Sequence, residues 1–143
     1  MILDTTYLLP LVGIAVKTDL LKAIVEGRVK KRISLYELKI NLISLFELQA
    51  KASKLNIPSE RVNKAVNIIV RSFHVIPFYQ QEIIKYSYEL NKIISDYIDC
   101  VIVATAISLG DELVTEDSII LSAKEEVEKK YGVSIYSYQD LVE

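Results

Sequence analysis

The sequence predicts an α/β fold in three layers: a central, mostly parallel five-stranded sheet with helices packed on both of its faces. Short apolar segments rich in β-branched residues alternate along the chain with longer segments of helical periodicity. This alternation is typical of strands joined by crossover helices. Hydrophobic residues make up 51% of the 143 residues, enough to bury a sheet on both faces. We expect a single domain over residues 1–143.

The first quarter of the chain is predicted to hold two strands and two helical segments. The apolar residues 1–3 form the first strand, and the helical segment after them is interrupted at Pro10. A second helix is expected over residues 18–26, because Gly27 is a common type of helix terminator. Residues 32–37 alternate between apolar and polar side chains and are predicted to form the next strand.

A longer helix is predicted to begin at Ser44. Ser44 followed three residues later by Glu47 fits a capping box, in which the two side chains satisfy the first backbone N–H groups. Pro58 is expected to end this helix and to begin another that runs to about residue 72. Apolar residues recur every three or four positions and therefore share one face. They are Leu45, Leu48, Ala52 and Leu55.

The second half of the chain continues the alternation of strands and helices. The segment at 97–109 is the most apolar helix of the sequence, so it is expected to be central, and Gly110 is expected to end it. The remaining predicted elements are a strand at 74–78, a helix at 80–94, a strand at 112–115, a charged helix at 118–130, a strand at 133–138 and a short terminal helix.

Composition narrows the possible functions. The formal net charge is −2, so any binding of nucleic acid must be local rather than through a broad basic surface. The single cysteine, Cys100, cannot form an internal disulfide, which favours a reducing, cytoplasmic location. The apolar stretch 5–16 contains Pro10 and lacks a preceding basic segment, so it does not fit a signal peptide. No apolar run approaches the ~18 residues of a membrane span, and we expect no membrane partner.

Four acidic residues occupy positions from which they can share one site. Two of them lie at the carboxyl ends of predicted strands, and the carboxyl ends of parallel strands are where α/β proteins bind ligands. The other two come three residues after a plausible N-cap, Ser44 or Asp96, at the positive end of a helix. The four residues are Asp4 and Asp117 after strands, and Glu47 and Asp99 in helices.

Carboxylates that converge in this way repel one another unless a proton or a cation compensates their charge. A ligand set of carboxylate oxygens suits Mg²⁺ or Mn²⁺. A chain with one histidine and one cysteine offers no zinc site. One or two hard cations can activate a water molecule and stabilise the transition state of phosphodiester hydrolysis.

Each acid except one also has a structural explanation that the residues alone do not exclude. Glu47 completes the predicted capping box, Asp99 is favoured by the dipole of its helix, and Asp117 is placed to cap the helix after it. Asp4 is harder to explain structurally, because an aspartate at the buried end of a strand requires a partner.

Three segments of the sequence resemble the PIN-domain family, especially the VapC-type toxin ribonucleases. They are MILDTTYLLP, ISLFELQAK and IDCVIVATAISLGDELVTED, in that order. The first is similar to the family's opening aspartate followed by Thr or Ser, and the second to its Ser-containing segment ending in Glu-Leu. The third is similar to the family's stretch of aspartate, Ala-rich helix, glycine and strand ending in Thr-x-Asp. The resemblance covers nearly the whole chain.

The resemblance implies an endoribonuclease that hydrolyses RNA phosphodiester bonds with one or two Mg²⁺ or Mn²⁺ ions. It also implies a central first strand, a protein antitoxin as partner, and a homodimer. Thr115 and, less directly, Thr5 are expected to orient a carboxylate or a bound water. Asp96 is expected either to cap its helix or to support the site from outside the ligand set. The implied catalytic and metal-binding residues are Asp4, Glu47, Asp99 and Asp117.

Two questions stay open at the level of sequence. The main basic cluster fits either a solvated loop or a contact with phosphate or a partner protein. It consists of Arg28, Lys30, Lys31 and Arg32. The family resemblance also permits a non-catalytic PIN-like module that binds RNA or protein, and a stand-alone RNA-processing nuclease without a toxin role.

Overall fold

Five short strands form one sheet in the computed structural model, which describes all residues 1–143. The strands are β1 (Ile2–Leu3), β2 (Lys39–Asn41), β3 (His74–Ile76), β4 (Leu113–Val114) and β5 (Ile135–Tyr136). Their order in the sheet is β3-β2-β1-β4-β5, and every neighbouring pair is parallel. The predicted fold class is therefore confirmed, and β1 lies at the centre of an all-parallel sheet.

Helices connect the strands and cover both faces of the sheet. A 3-10 helix spans Thr5–Val12 and a short 3-10 turn spans Leu35–Glu37. None of the helices combines the length and the hydropathy that a membrane span requires. The α-helices are α1 (Leu20–Val25), α2 (Ile43–Lys54), α3 (Ser59–Ser72), α4 (Gln81–Leu90), α5 (Tyr97–Leu109), α6 (Ser118–Ser122), α7 (Lys124–Tyr131) and α8 (Tyr138–Leu141).

Side chains that alternate along the strands build a separate core on each face of the sheet. In β1, Leu3 belongs to the core under the 3-10 helix and α1 to α3, whereas Ile2 belongs to the core under α4 to α7. In β4, likewise, Val114 belongs to the first of these cores and Leu113 to the second. All four side chains are fully buried. Packing on both faces therefore fixes these strands, because two residues supply few interstrand hydrogen bonds.

The order of strands reverses at β1. From β1 the chain passes to β2 and β3 on one side of the sheet, and later to β4 and β5 on the other side. Ile2 is in register with Lys39 of β2 and with Leu113 of β4. The segments that follow these strands therefore leave the sheet at the same edge. Such an edge, where strand order reverses, is the usual ligand site of an open parallel sheet.

The strand predicted at 32–37 is wrong. The segment Leu35–Glu37 is a turn of 3-10 helix, and the hydroxyl of Ser34 accepts a hydrogen bond from the N–H of Tyr36 at 3.3 Å. Tyr36 is 86% exposed, so the alternation of this segment does not correspond to a buried sheet face. The strand instead lies at Lys39–Asn41, where the side chains enter the core.

The capping box predicted at Ser44 is also wrong. Helix α2 begins at Ile43, whose N–H donates to the side-chain Oδ1 of Asn41 at 2.9 Å. Ser44 is fully buried inside the first turn, and its hydroxyl has no hydrogen-bond partner. Glu47 therefore lies in the second turn and has no capping role.

The charged helix predicted at 118–130 is two helices. Helix α6 ends at Ser122 and α7 starts at Lys124, with Ala123 between them. The N–H of Ala123 is shared between the carbonyls three and four residues before it. This tight terminal turn ends the first helix and gives the second a new start.

A fully buried chain of hydrogen bonds joins the sheet to helix α5. The side-chain amide of Asn41 donates to Oγ1 of Thr105 at 2.8 Å, and the hydroxyl of Thr105 donates to the carbonyl of Val101 at 2.7 Å. The side chains of Asn41 and Thr105 are 0% exposed. Because the side chain of Asn41 also accepts from the N–H of Ile43, the first residue of α2, this chain fixes the helix that carries Glu47 against the sheet.

We expect Thr105→Val to lower the free energy of unfolding by about 2 kcal/mol, because the buried amide of Asn41 loses its acceptor. Chemical denaturation checks this loss. The control is Ser122→Ala, which removes a hydroxyl-to-carbonyl bond of 2.7 Å from an exposed site. The control should change the free energy by less than about 0.5 kcal/mol. Equal losses in the two variants would contradict the role of the buried pair.

Candidate active site

An acidic cavity opens at the carboxyl edge of the sheet, where β1 and β4 end. Its volume is about 330 Å³, and no hydrophobic side chain lines it. The four predicted acids all contribute to its wall, from four separate segments of the chain. The lining residues are Asp4, Thr6, Glu47, Lys51, Asp99, Glu116, Asp117 and Ser118.

Asp4, which directly follows β1, is the most enclosed of the four acids, with an exposed fraction of 6%. Its carboxylate accepts hydrogen bonds from the N–H of Thr5 at 2.7 Å and from the hydroxyl of Thr115 at 2.5 Å. Burial raises the pKa of Asp4, the two hydrogen bonds lower it, and the charges of Glu47 and Asp117 raise it again. The net direction is upward, so the fold disfavours the ionised carboxylate unless a cation compensates it.

Thr115 links Asp4 to Asp117. Its fully buried hydroxyl donates to Asp4 and accepts a hydrogen bond from the N–H of Asp117 at 3.0 Å. The Oδ1 atom of Asp117 in turn accepts from the N–H groups of Ile119 and Ile120, both at 2.9 Å. Asp117 therefore caps helix α6 and lines the cavity at the same time, so its two interpretations are compatible.

Thr5 links Asp4 to Glu47 on the other side. The hydroxyl of Thr5 donates to Oε1 of Glu47 at 2.6 Å, while the N–H of Thr5 donates to Asp4. Thr5 is fully buried, and Glu47 is half-buried on the second turn of α2. Two buried threonines thus hold the carboxylates of Asp4 and Glu47 in fixed positions, and Thr115 also holds the backbone of Asp117.

Asp99 completes the acidic wall from the first turn of α5. Burial raises its pKa to about 7, and the neighbouring charges of Asp117, Asp96, Asp4 and Glu47 add to this increase in that order. Asp96 is the N-cap of the helix, because its Oδ1 accepts from the N–H groups of Ile98 at 2.8 Å and Asp99 at 3.4 Å. Asp96 does not line the cavity, and it acts on Asp99 through its charge and its backbone contact.

Four further residues line the cavity that the sequence did not single out: Thr6, Lys51, Glu116 and Ser118. Glu116 is held in place by hydrogen bonds from the hydroxyl of Tyr7 and from the N–H of Tyr138. Lys51 follows Glu47 by one helical turn, a spacing that puts the two side chains on the same face of α2. That spacing could have identified Lys51, whereas the environment of Glu116 depends on contacts distant in sequence.

The basic cluster at 28–32 lies away from the cavity. Lys31 is paired with Glu112 at 2.7 Å and lies over the ring of Tyr136. Glu112 immediately precedes β4, so this pair belongs to the opposite edge of the sheet. The guanidinium of Arg28 pairs with Glu26, and the ammonium of Lys30 donates to the carbonyl of Gln139 at 3.0 Å. Arg32 is exposed. None of these four residues lines the acidic cavity.

The donor set of the cavity fits a hard divalent cation by its chemistry. Carboxylate and hydroxyl oxygens line it, and no histidine or cysteine is among the lining residues. Oxygen ligands of this kind suit Mg²⁺ and Mn²⁺. The structure contains no group of three or more His, Cys, Asp or Glu side chains already arranged to hold an ion. Mg²⁺ usually keeps several waters and binds through one or two carboxylates, so the fit does not require a preformed cage.

Fold and cavity together define an α/β domain whose acidic site lies at the reversal of strand order. The sequence matches the PIN domain family over residues 1–126, and the chain belongs to that family. The family inferred from the three sequence segments is thereby confirmed. No curated protein matches the sequence.

Solved structures with the same fold include chains from three complexes. A chain of the toxin-antitoxin complex from Klebsiella pneumoniae has a TM-score of 0.60 and 22% identity, covering 82% of this chain and 86% of that one. A chain of VapBC2 from Rickettsia felis, bound to a DNA fragment from their promoter, has a TM-score of 0.63 and 20% identity. The match covers 95% of this chain and 96% of that one. A chain of FitAcB from Neisseria gonorrhoeae has a TM-score of 0.65 and 16% identity. The match covers 96% of this chain and 97% of that one. These similarities show that the fold is shared.

The acidic cavity determines how stability depends on pH in the metal-free protein. The pKa of Asp99 is about 7 in the folded protein, against an ordinary value of 3.8. Between these values the folded state holds a proton that the unfolded state has released, so stability falls as pH rises. The unfavourable contribution of Asp99 is absent below pH ~4 and reaches its full size above pH ~7.

We expect Asp99→Asn to raise the melting temperature in EDTA at pH 8 by about 3 °C, and to raise it less at pH 5. Thermal melts followed by circular dichroism measure both values. The control is Glu60→Gln, which removes an acid from the first turn of another helix, on the exposed face of α3. It should give no such gain. A lower melting temperature for Asp99→Asn at pH 8 would show that repulsion in the cavity does not dominate.

Proposed function

We propose that this PIN-domain protein is a divalent-metal-dependent endoribonuclease that hydrolyses RNA phosphodiester bonds at the acidic cavity. One observation carries the proposal: four carboxylates from separate segments of the chain line the same cavity. Stability alone does not explain their convergence, because like charges that lie close together and partly out of water disfavour the fold. A site that tolerates such repulsion is suited to binding cations and to the chemistry that they support.

The residues proposed to hold one or two Mg²⁺ or Mn²⁺ ions and to act in catalysis are Asp4, Glu47, Asp99 and Asp117. When bound, such an ion supplies an activated water and neutralises charge on the scissile phosphate. Thr115 and Thr5 hold the carboxylates of Asp4 and Glu47 by hydrogen bonds of 2.5 and 2.6 Å. Buried partners of this kind keep ligand side chains in one orientation, which supports metal affinity.

The biological role proposed for this nuclease is that of a toxin neutralised by a protein antitoxin. The shared fold with chains from toxin-antitoxin complexes supports it. The homodimer and the cytoplasmic location expected from the sequence stay predictions. A stand-alone RNA-processing nuclease would use the same acids, so the gene neighbourhood separates the two roles. A small adjacent gene for a DNA-binding protein supports the toxin role, and its absence supports the processing role.

A non-catalytic PIN-like module, which binds RNA or protein without cleaving it, is the second candidate. The lack of a group of acids already arranged to hold an ion favours it. The presence of all four acids in one cavity opposes it, because a module that needs no metal gains nothing from their repulsion. Binding of metal and cleavage of RNA distinguish the two candidates.

Cleavage of single-stranded RNA in Mn²⁺ tests the nuclease directly. We expect the parent protein to cut RNA only with the metal present, and EDTA to stop the reaction. Asp4→Asn and Asp99→Asn should each slow cleavage by about 100-fold or more, because each removes a charge that holds the cation. Initial rates from labelled RNA on denaturing gels measure this change.

Glu60→Gln serves again as the matched control, since it removes an exposed acid outside the cavity. Its rate should equal that of the parent. If the two cavity variants cut as fast as the control in equally pure preparations, the activity belongs to a contaminant and the assigned site is wrong.

Metal binding is expected to stabilise the folded protein. At a concentration of Mn²⁺ about 100 times its dissociation constant, the free energy of unfolding should rise by about 2.7 kcal/mol, which corresponds to an increase of about 8 °C in melting temperature. Differential scanning calorimetry with and without Mn²⁺ measures it. Asp4→Asn should lose most of this increase. A parent protein without any shift would support the non-catalytic module instead.

A further inference from the structure

A second hollow lies beside the acidic cavity. Its volume is about 190 Å³, and it shares the lining residues Glu47 and Lys51 with the cavity, so the two spaces adjoin. Unlike the cavity, it combines apolar side chains with cations. The lining residues are Phe46, Glu47, Ala50, Lys51, Lys54 and Ile98.

Two unpaired lysines give this hollow its positive charge. Lys51 is the only basic residue that lines the acidic cavity, and Lys54 lies about one turn further along α2. Both side chains are exposed, and neither forms a salt bridge. Lys31 and Arg28 of the basic cluster are already neutralised by Glu112 and Glu26. The free positive charge nearest the cavity is therefore on α2.

Phe46 supplies an aromatic surface at the same place. Its side chain is 65% exposed, although it belongs to a helix whose other face is buried in the core. Ile98 and Ala50 extend this apolar surface towards the acid of the first turn of α5. The exposed ring of Phe46 lines the hollow together with the two lysines and does not belong to the core.

We propose that this hollow is a nucleotide subsite for single-stranded RNA. The base next to the scissile phosphate stacks on Phe46, and Lys51 and Lys54 contact the adjoining backbone phosphates. This inference rests on the proposed function, because it places the strand relative to the acidic cavity. Stacking on an aromatic side chain together with ammonium contacts along the backbone is the general mode of binding of single strands.

The charges of the molecule favour a polyanion at this position over other ligands. With a net charge of −2, the protein has no broad basic surface to attract RNA. The cavity repels phosphate until cations fill it, so the first attraction for the strand must come from beside it. The two lysines provide that attraction within one side-chain length of the acids. A base can reach Phe46 only if it is unstacked, which selects single strands over duplexes.

Binding in EDTA tests the subsite without requiring cleavage. The measurement is the fluorescence anisotropy of a short labelled single-stranded RNA at low salt. We expect the double variant Lys51→Ala with Lys54→Ala, and separately Phe46→Ala, to raise the dissociation constant by about 10-fold each. Phe46→Tyr should bind like the parent, and Phe46→Leu like Phe46→Ala, since leucine is apolar but cannot stack. Arg32→Ala removes an exposed cation that lines neither the cavity nor the hollow, and it should have no effect.

The salt dependence and the kinetics give a second measurement. Each lost phosphate contact should reduce the slope of the logarithm of affinity against the logarithm of salt concentration by about 0.7. In Mn²⁺, the lysine variants should raise KM with kcat within about two-fold of the parent, because they remove binding made equally in ground and transition states. A duplex of the same sequence should bind more weakly than the single strand.

The outcomes separate this inference from the proposed function. If the parent binds RNA through Phe46 and the lysines but never cuts it, the subsite stands and the nuclease fails. If the parent cuts RNA while the subsite variants behave like Arg32→Ala, the nuclease stands and the subsite is wrong. A parent that does not bind single-stranded RNA, or that prefers the duplex, would also overturn the subsite.

Discussion

The burial of one carboxylate at the end of the central strand is the constraint on which the site depends. Asp4 is 6% exposed, and its two hydrogen-bond donors do not offset the cost of its burial and of its acidic neighbours. Such a group is stable only as a neutral acid or beside a cation. The backbone N–H of Thr5 and the buried hydroxyl of Thr115 fix it in place but leave its charge uncompensated. The fold thus maintains a negative charge where a cation can satisfy it.

The topology of the sheet explains why other acidic residues lie close to Asp4. Because the order of strands reverses at β1, the segment after β4 lies beside the segment after β1, and Asp117 arrives next to Asp4. Helices α2 and α5 pack on opposite faces of the sheet and bring Glu47 and Asp99 to the same edge. Four local structures, each ordinary on its own, converge only through the sheet. The repulsion among their acids destabilises the assembled fold, and it does not arise within any single helix or strand.

Local rules predicted the parts of this arrangement that depend on neighbours in sequence. The positions of Asp4, Asp99 and Asp117 follow from strand ends and helix starts, and all three line the cavity. Glu47 was placed in the right helix for a wrong reason, because that helix begins at Ile43 and Ser44 is buried within it. The strand predicted at 32–37 failed because strands of two or three residues are set by packing, which alternation in a short segment cannot report.

The sequence was least informative about which basic residues are free of ion pairs in the fold. The sequence has a run of four cations at residues 28–32, yet ion pairs or a backbone contact occupy three of them. Lys51 is isolated in the sequence and lines a cavity with five acidic residues in the fold. The attraction of Lys51 for a polyanion depends on this position, because an ammonium without a salt bridge is free to interact with the charge of a ligand. A protein of net negative charge can therefore guide RNA to an acidic site, provided that a few free cations stand at its border.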